Sequence, residues 1–238
     1  MINNFTQARE AEMNYHENFY NETSLFQAGT WLSKPVQVVM DLLEQLNLNQ
    51  VSVLDLGCGV GRNSIPIAQK VKSHGGSVLG VDLLPTAIDK LSKYIEEYDI
   101  QRTLDTEVAD AEYYEIEREE HDYIIACSCL EHVSNIEAFK KVILRMIEGT
   151  KKEGINCILM STEVKEYDLE QGKEKDGLVE LNVKTDVAIS ILREQYKEWE
   201  ILIERCSPQT VREKKQGKDI EFRSQWLTFA ARRRSGII

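Results

Sequence analysis

Short apolar runs alternate with amphipathic stretches through the middle of this chain. Residues 51–56 carry mostly β-branched and aliphatic side chains, as a strand covered on both faces does. Further strands of that kind are expected at 77–82, 123–127 and 156–161, and a more polar one at 105–109. Between them fall stripes of helical period: Ile65, Ile67, Ala68 and Val71; then Ala87, Ile88, Leu91, Tyr94 and Ile95; then Phe139, Val142, Ile143, Met146 and Ile147. Pro85 starts the second of these helices, and Gly75-Gly76 ends the first. Before the first strand, Pro35 opens a helix with Ser33 near its cap, striped by Val36, Val39, Leu42, Leu43 and Leu46. Strands alternating with helices predict an α/β fold with a parallel sheet and right-handed crossovers.

The two ends of the chain read differently. The stretch up to about Ser33 is polar with interspersed aromatics, Tyr15, His16, Phe19, Tyr20, Phe26 and Trp31. It is read as a lid or docking segment, residues 1–34, ahead of a single domain from 35 to 238. Residues 163–182 lack a clear period and read as a long loop. A helix at 187–196 and strands at 199–204 and 226–231 close the chain. Residues 207–224 carry no helical pattern, so the last two strands are expected to be antiparallel neighbours.

Composition narrows the possibilities. The 238 residues carry a formal net charge of −11, which repels phosphate backbones and makes nucleic acid a poor partner. The one local basic run, Arg232-Arg233-Arg234, reads as a solvated end. Five cysteines sit mostly in apolar runs without paired zinc spacing, so neither a metal site nor a disulfide framework is expected, and a reducing cytoplasm fits. No apolar run approaches the roughly 20 residues of a membrane helix, and the first residues lack a secretory signal pattern.

The chemistry gathers at strand ends. After the first strand, Gly57, Gly59 and Gly61 form a turn that lets a ligand touch the backbone. Their G-x-G-x-G spacing departs from the G-x-G-x-x-G of dinucleotide sites, which weakens an NAD-dependent oxidoreductase reading. Asp82 ends the second strand, 21 residues beyond Gly61, where it accepts from ribose hydroxyls. Asp110, ending the third, suits an adenine amino group. Three successive strand ends thus describe a nucleoside.

The run Val53-Leu-Asp-Leu-Gly-Cys-Gly-Val-Gly61 resembles the first motif of class I S-adenosylmethionine-dependent methyltransferases. Val81-Asp82, Asp110-Ala111 and residues 122–133 resemble the three motifs that follow. The resemblance implies a Rossmann-like three-layer sandwich, with a seven-stranded, mostly parallel sheet ordered 3-2-1-4-5-7-6 and one antiparallel strand. It also implies S-adenosylmethionine as cofactor. Gly57, Cys58 and Gly59 would meet its methionine part, Asp82 its ribose, Leu83, Asp110 and Ala111 its adenine, and the backbone near Cys127 its amino group. Gly61-Arg-Asn-Ser64, residues 195–200 and Phe229-Ala-Ala-Arg-Arg are similar to tellurite-resistance-type methyltransferases, although Pro208-Gln-Thr-Val-Arg212 stands where that group has Gly-Glu-Leu-His.

Methyl transfer from a sulfonium needs alignment more than a catalytic triad. The expected acceptor is a small molecule. Tyr20, Trp31 and His132 are the substrate-side candidates, and His132 is also the one candidate general base. Glu131 reads as a first-turn acid facing a helix dipole, and Cys127 and Cys129 as packing residues. A nucleic-acid methyltransferase and a non-catalytic cofactor-binding protein are the competing readings.

Overall fold

The computed structural model describes residues 4–215 and 218–234. In chain order the elements are α1 (Asn4–Glu22), α2 (Gln37–Leu43), β1 (Ser52–Leu56), α3 (Ser64–Val71), β2 (Ser77–Asp82) and α4 (Pro85–Glu97). There follow β3 (Leu104–Val108), β4 (His121–Cys127), α5 (Ile136–Gly149), β5 (Thr150–Asp168) and β6 (Lys173–Asp176). The chain ends with α6 (Thr185–Gln195), β7 (Glu200–Lys215) and β8 (Lys218–Arg232). The sheet runs β3-β2-β1-β4-β5-β8-β7, with β6 paired to the far end of β5. Strands β1 to β5 are parallel, and β8 is antiparallel to both its neighbours. This is the Rossmann-like order expected, with an eighth strand added.

Alternation along each strand builds two cores. Val53, Tyr123, Ile125, Ile155 and Cys157 face the layer of α2, α3 and α4. Their neighbours Leu54, Ile124, Ala126, Ile158 and Met160 face α5 and α6. Burial on both faces explains why the central strands read as continuous apolar runs. Tyr196 is fully buried against Trp199 and Phe229, and its hydroxyl accepts from Asn156 Nδ2 at 3.0 Å.

Four elements depart from the sequence reading. The polar N-terminal stretch, for which the sequence pattern predicts no element, holds a 19-residue helix. The helix expected to open at Pro35 starts at Gln37, with Val36 as its extended N-cap at ψ 117° and Val36 N–H donating to Asn63 Oδ1 at 3.0 Å. Residues 163–168 continue β5, with 165–168 paired to β6 and β8, so strand takes up half of the expected long loop. Residues 207–215 and 218–224 likewise extend β7 and β8 into a long hairpin. Charge pairs across the strands hold this arm, Lys165–Glu174 at 2.5 Å and Arg212–Glu221 at 3.1 Å, while Arg223 lies 5.0 Å over the Tyr167 ring. Such pairs support a ladder without an apolar pattern.

Asp55, in the middle of the sheet, is 1% exposed and accepts from Ser64 Oγ at 2.5 Å. Burial pushes its carboxyl up to about 7, against the opposing hydrogen bond from Ser64. A raised folded pKa means the native state holds the proton more tightly than the unfolded chain. Stability contributed by the protonated form is therefore lost as pH rises through about 7. Between pH 5 and pH 8 this amounts to a loss on the order of 3 kcal/mol. Denaturant unfolding of Asp55→Asn is expected to show a smaller fall than the native protein over that interval; equal falls would contradict it.

Candidate active site

The glycine turn after β1 is locked by backbone bonds. Gly57 N–H and Cys58 N–H both donate to Val81 O, at 2.8 and 3.0 Å. Gly57, Gly59 and Gly61 have φ of 71°, 54° and 93°, the left-handed region that favours glycine. At Gly59 a Cβ would lie 2.6 Å from Tyr20 Oη, so this position admits no side chain while α1 is seated.

Asp82 fixes the turn from the neighbouring strand. Its Oδ2 accepts from Gly59 N–H at 2.7 Å and its Oδ1 from Leu84 N–H at 2.9 Å. Each carboxylate oxygen keeps a lone pair for a further donor. Burial raises its pKa, and the two backbone N–H groups and His132 act against that rise. Asp110, beyond β3, accepts from Glu112 N–H at 2.9 Å. These carboxylates border one cleft with the glycine turn.

The residues after the turn tie the N-terminal segment to it. Arg62 Nε donates to Lys34 O at 2.8 Å, and its guanidinium lies 5.7 Å over the Trp31 ring. Together with Asn63 on Val36 and Ser64 on Asp55, the Arg-Asn-Ser run is a set of structural braces.

Helix α1 forms the roof. Arg9, Glu12, Met13, His16 and Tyr20 recur at helical spacing and all border the cleft. Arg9 donates to Asp110 Oδ2 at 2.7 Å, to Glu180 Oε1 at 3.0 Å and to His132 O at 2.6 Å. Phe19 stacks on Trp31 with centroids 5.0 Å apart. The cleft beneath has a volume of about 450 Å³, within the usual range for a small ligand.

On the opposite wall, Glu131 lies ahead of α5 rather than in its first turn. It is 4% exposed, accepts from Ser161 N–H at 3.0 Å through Oε1, and leaves Oε2 buried without a hydrogen-bond partner. The N-terminus of α5 is instead capped by Asn135, with Glu137 in its first turn. His132 Nδ1 lies 2.8 Å from Glu180 Oε2. Burial disfavours its charge, but the carboxylates, Glu180 foremost, prevail and raise its pKa to about 9. An imidazolium has no lone pair to take a proton, so at neutral pH His132 lacks the state a general base requires. Burial pushes the Cys127 thiol up to about 12 and those of Cys58 and Cys129 well upward, so none of the three is a thiolate.

Every site residue read from the sequence borders this cleft: Gly57, Cys58, Gly59, Asp82, Leu83, Asp110, Ala111, Cys127, Tyr20, Trp31 and His132. Sequence reasoning missed Arg9, Glu12 and Glu180, together with Gln209 and Phe222 from the long hairpin. The signal for the first two was present as the 9-12-13-16-20 spacing, but its members are polar and carry no apolar stripe.

Comparisons with known proteins agree with this geometry. Residues 53–154 match the family of methyltransferase domains. A ubiquinone biosynthesis O-methyltransferase of Rickettsia typhi is 28% identical over 113 residues, 47% of this chain and 42% of that protein. A tRNA N(3)-methylcytidine methyltransferase of Schizosaccharomyces pombe is 31% identical over 77 residues, 32% of this chain and 25% of that protein. The matched segments thus span less than half of these curated relatives. Among solved structures, TehB from Haemophilus influenzae superposes with a TM-score of 0.64 at 22% identity, covering 94% of this chain and 67% of that one. Sheet order, glycine turn and domain match together define a class I S-adenosylmethionine-dependent methyltransferase fold. Among the described residues, no helix is long and apolar enough to cross a membrane.

Proposed function

We propose that this protein binds S-adenosylmethionine in the cleft and transfers its methyl group to a small-molecule acceptor. The observation that carries this reading is the convergence of the glycine turn, Asp82 and Asp110 on one cleft roofed by α1. The site fits the cofactor chemically. Asp82 and Asp110 keep acceptor lone pairs, and Glu131 Oε2 is a buried acceptor without a hydrogen-bond partner. Five carboxylates, of Glu12, Asp82, Asp110, Glu131 and Glu180, outnumber the three cationic groups, Arg9, Arg62 and His132, that border the space with them, which favours a cationic ligand over a polyphosphate.

When bound, the cofactor supplies a methyl group already activated by its positive sulfur. The chain's task is to hold that group in line with the acceptor and to exclude water. Asp82 and the turn fix one end. Tyr20, Trp31 and the described part of the N-terminal segment, residues 4–34, act as the cover, with ring faces suited to shielding a cation. The nearby thiols are held protonated and His132 is held charged, so the reading requires no base from them.

A labelled-methyl assay across phenols, thiols, amines, carboxylates and metalloid oxyanions, with RNA as a comparison, tests the proposal. Transfer to at least one small acceptor is expected. Label appearing only in RNA, or cofactor binding with no transfer to any acceptor, would overturn it.

A further inference from the structure

Two side chains of α1 meet one from the opposite wall of the cleft. Glu12 and His16 stand four residues apart on the helix, and a carboxylate oxygen of Glu12, a ring nitrogen of His16 and one of His132 lie within 4.8 Å of one another. Glu12 Oε2 and His16 Nε2 are 3.9 Å apart, and the two imidazole rings meet edge to face at 6.4 Å. All three are partly buried and border the cleft beside Tyr20 and Trp31.

We propose that Glu12, His16 and His132 form a site for a divalent first-row cation of the zinc type. Two imidazoles and one carboxylate are a borderline donor set that suits such ions. Three protein ligands leave a coordination position open, as in sites where the ion also binds a reactant. Ligand atoms around tetrahedral zinc stand about 3.3 Å apart, given bonds of about 2.0–2.1 Å. The three groups therefore close on the ion by roughly 1 Å, a side-chain adjustment.

Two further observations point to a cation here. Glu180, 1% exposed at its side chain, holds His132 Nδ1 at 2.8 Å, which leaves Nε2 as the coordinating nitrogen. A carboxylate behind a metal-bound histidine fixes its ring and raises its basicity. Glu131, 4% exposed, borders the same cleft with an oxygen lacking a hydrogen-bond partner, adding buried negative charge beside His132 in sequence. The ion takes the place of the proton on His132 Nε2, and that proton leaves to solvent. Arg9, the nearest fixed cation on the helix, is already engaged by Asp110 and Glu180. Resting on the methyl-transfer reading, the open position would hold and acidify a hydroxyl acceptor, whose proton leaves to solvent.

Titration of the full chain with Co²⁺, followed by visible d–d absorption and by Zn²⁺ competition, tests the site. It uses no S-adenosylmethionine, so its outcome is independent of whether methyl transfer occurs. A Cys206→Ser background removes the exposed thiol. One ion per chain is expected, with His16→Gln and Glu12→Gln each weakening it at least about tenfold and Glu180→Gln about tenfold. Circular dichroism reports folding of each variant, and Glu12→Gln preserves shape if His16→Gln does not fold. Absence of Co²⁺ binding, or folded variants that bind as tightly as the parent, would overturn the proposal.

Discussion

Asp82→Ala is expected to weaken S-adenosylmethionine binding by at least about tenfold, measured by calorimetry. A carboxylate hydrogen bond contributes about 1.5–3 kcal/mol, which corresponds to a range of roughly 10- to 150-fold. The substitution also removes the acceptor for Gly59 N–H and Leu84 N–H, so the turn loses the brace that shapes it. Asp82→Asn keeps an acceptor for one of these bonds and is expected to lose less. Unchanged affinity in Asp82→Ala would remove Asp82 from the site.

Arg9→Ala is expected to release helix α1. The guanidinium bridges Asp110, Glu180 and the carbonyl of His132, and Glu180 is buried at its side chain. Deleting one partner of a buried pair costs about 3–5 kcal/mol, because the remaining charge stays desolvated. Local opening of the helix should then rise at least about a hundredfold, visible as faster amide hydrogen exchange over residues 9–20. Exchange at the native rate would show that the stacking of Phe19 on Trp31 and the burial of Tyr20 dock the helix without Arg9. Arg9→Lys, a point charge without the planar fork, should fall between the two.

Those two expectations come from opposite ends of what the sequence revealed. Asp82 was legible because it terminates an aliphatic strand, and the strand is aliphatic because helices cover both faces. Gly57 to Gly61 were legible for the same reason, whereas Asp110 follows the mostly exposed edge strand β3 and was legible through the resemblance of Asp110-Ala111 to a family motif. The N-terminal helix was not. Its inward stripe of Arg9, Glu12, Met13, His16 and Tyr20 is mostly polar, since it faces a cleft rather than a core. A hydropathy pattern marks faces that meet apolar neighbours, and this face meets charges and aromatic rings.

The long hairpin was hidden by a related effect. Beyond Thr162 the ladder of β5, β6, β7 and β8 leaves the helical layers and is held by backbone bonds and cross-strand charges. Val164 is seated by Asn182, whose side chain bonds both its N–H and its O at 2.8 Å, replacing a strand partner. Neither arrangement leaves an apolar period. Glu180 went unnoticed because it lies in that polar stretch, although it anchors both Arg9 and His132. The side of the cleft at Gly57, Asp82 and Asp110 was thus written in the strands, and the side at Arg9, His132 and Glu180 in folded contacts between distant polar residues.

The cleft at Gly57, Asp82 and Asp110 is expected to take S-adenosylmethionine rather than another nucleotide. Calorimetric titration of the full chain with S-adenosylmethionine, its demethylated product and NAD tests it most directly. The first two are expected to bind at one site per chain with a Kd in the micromolar range, about −8 kcal/mol, and NAD not at all. Binding of NAD at comparable strength, or no heat from S-adenosylmethionine, would contradict the account.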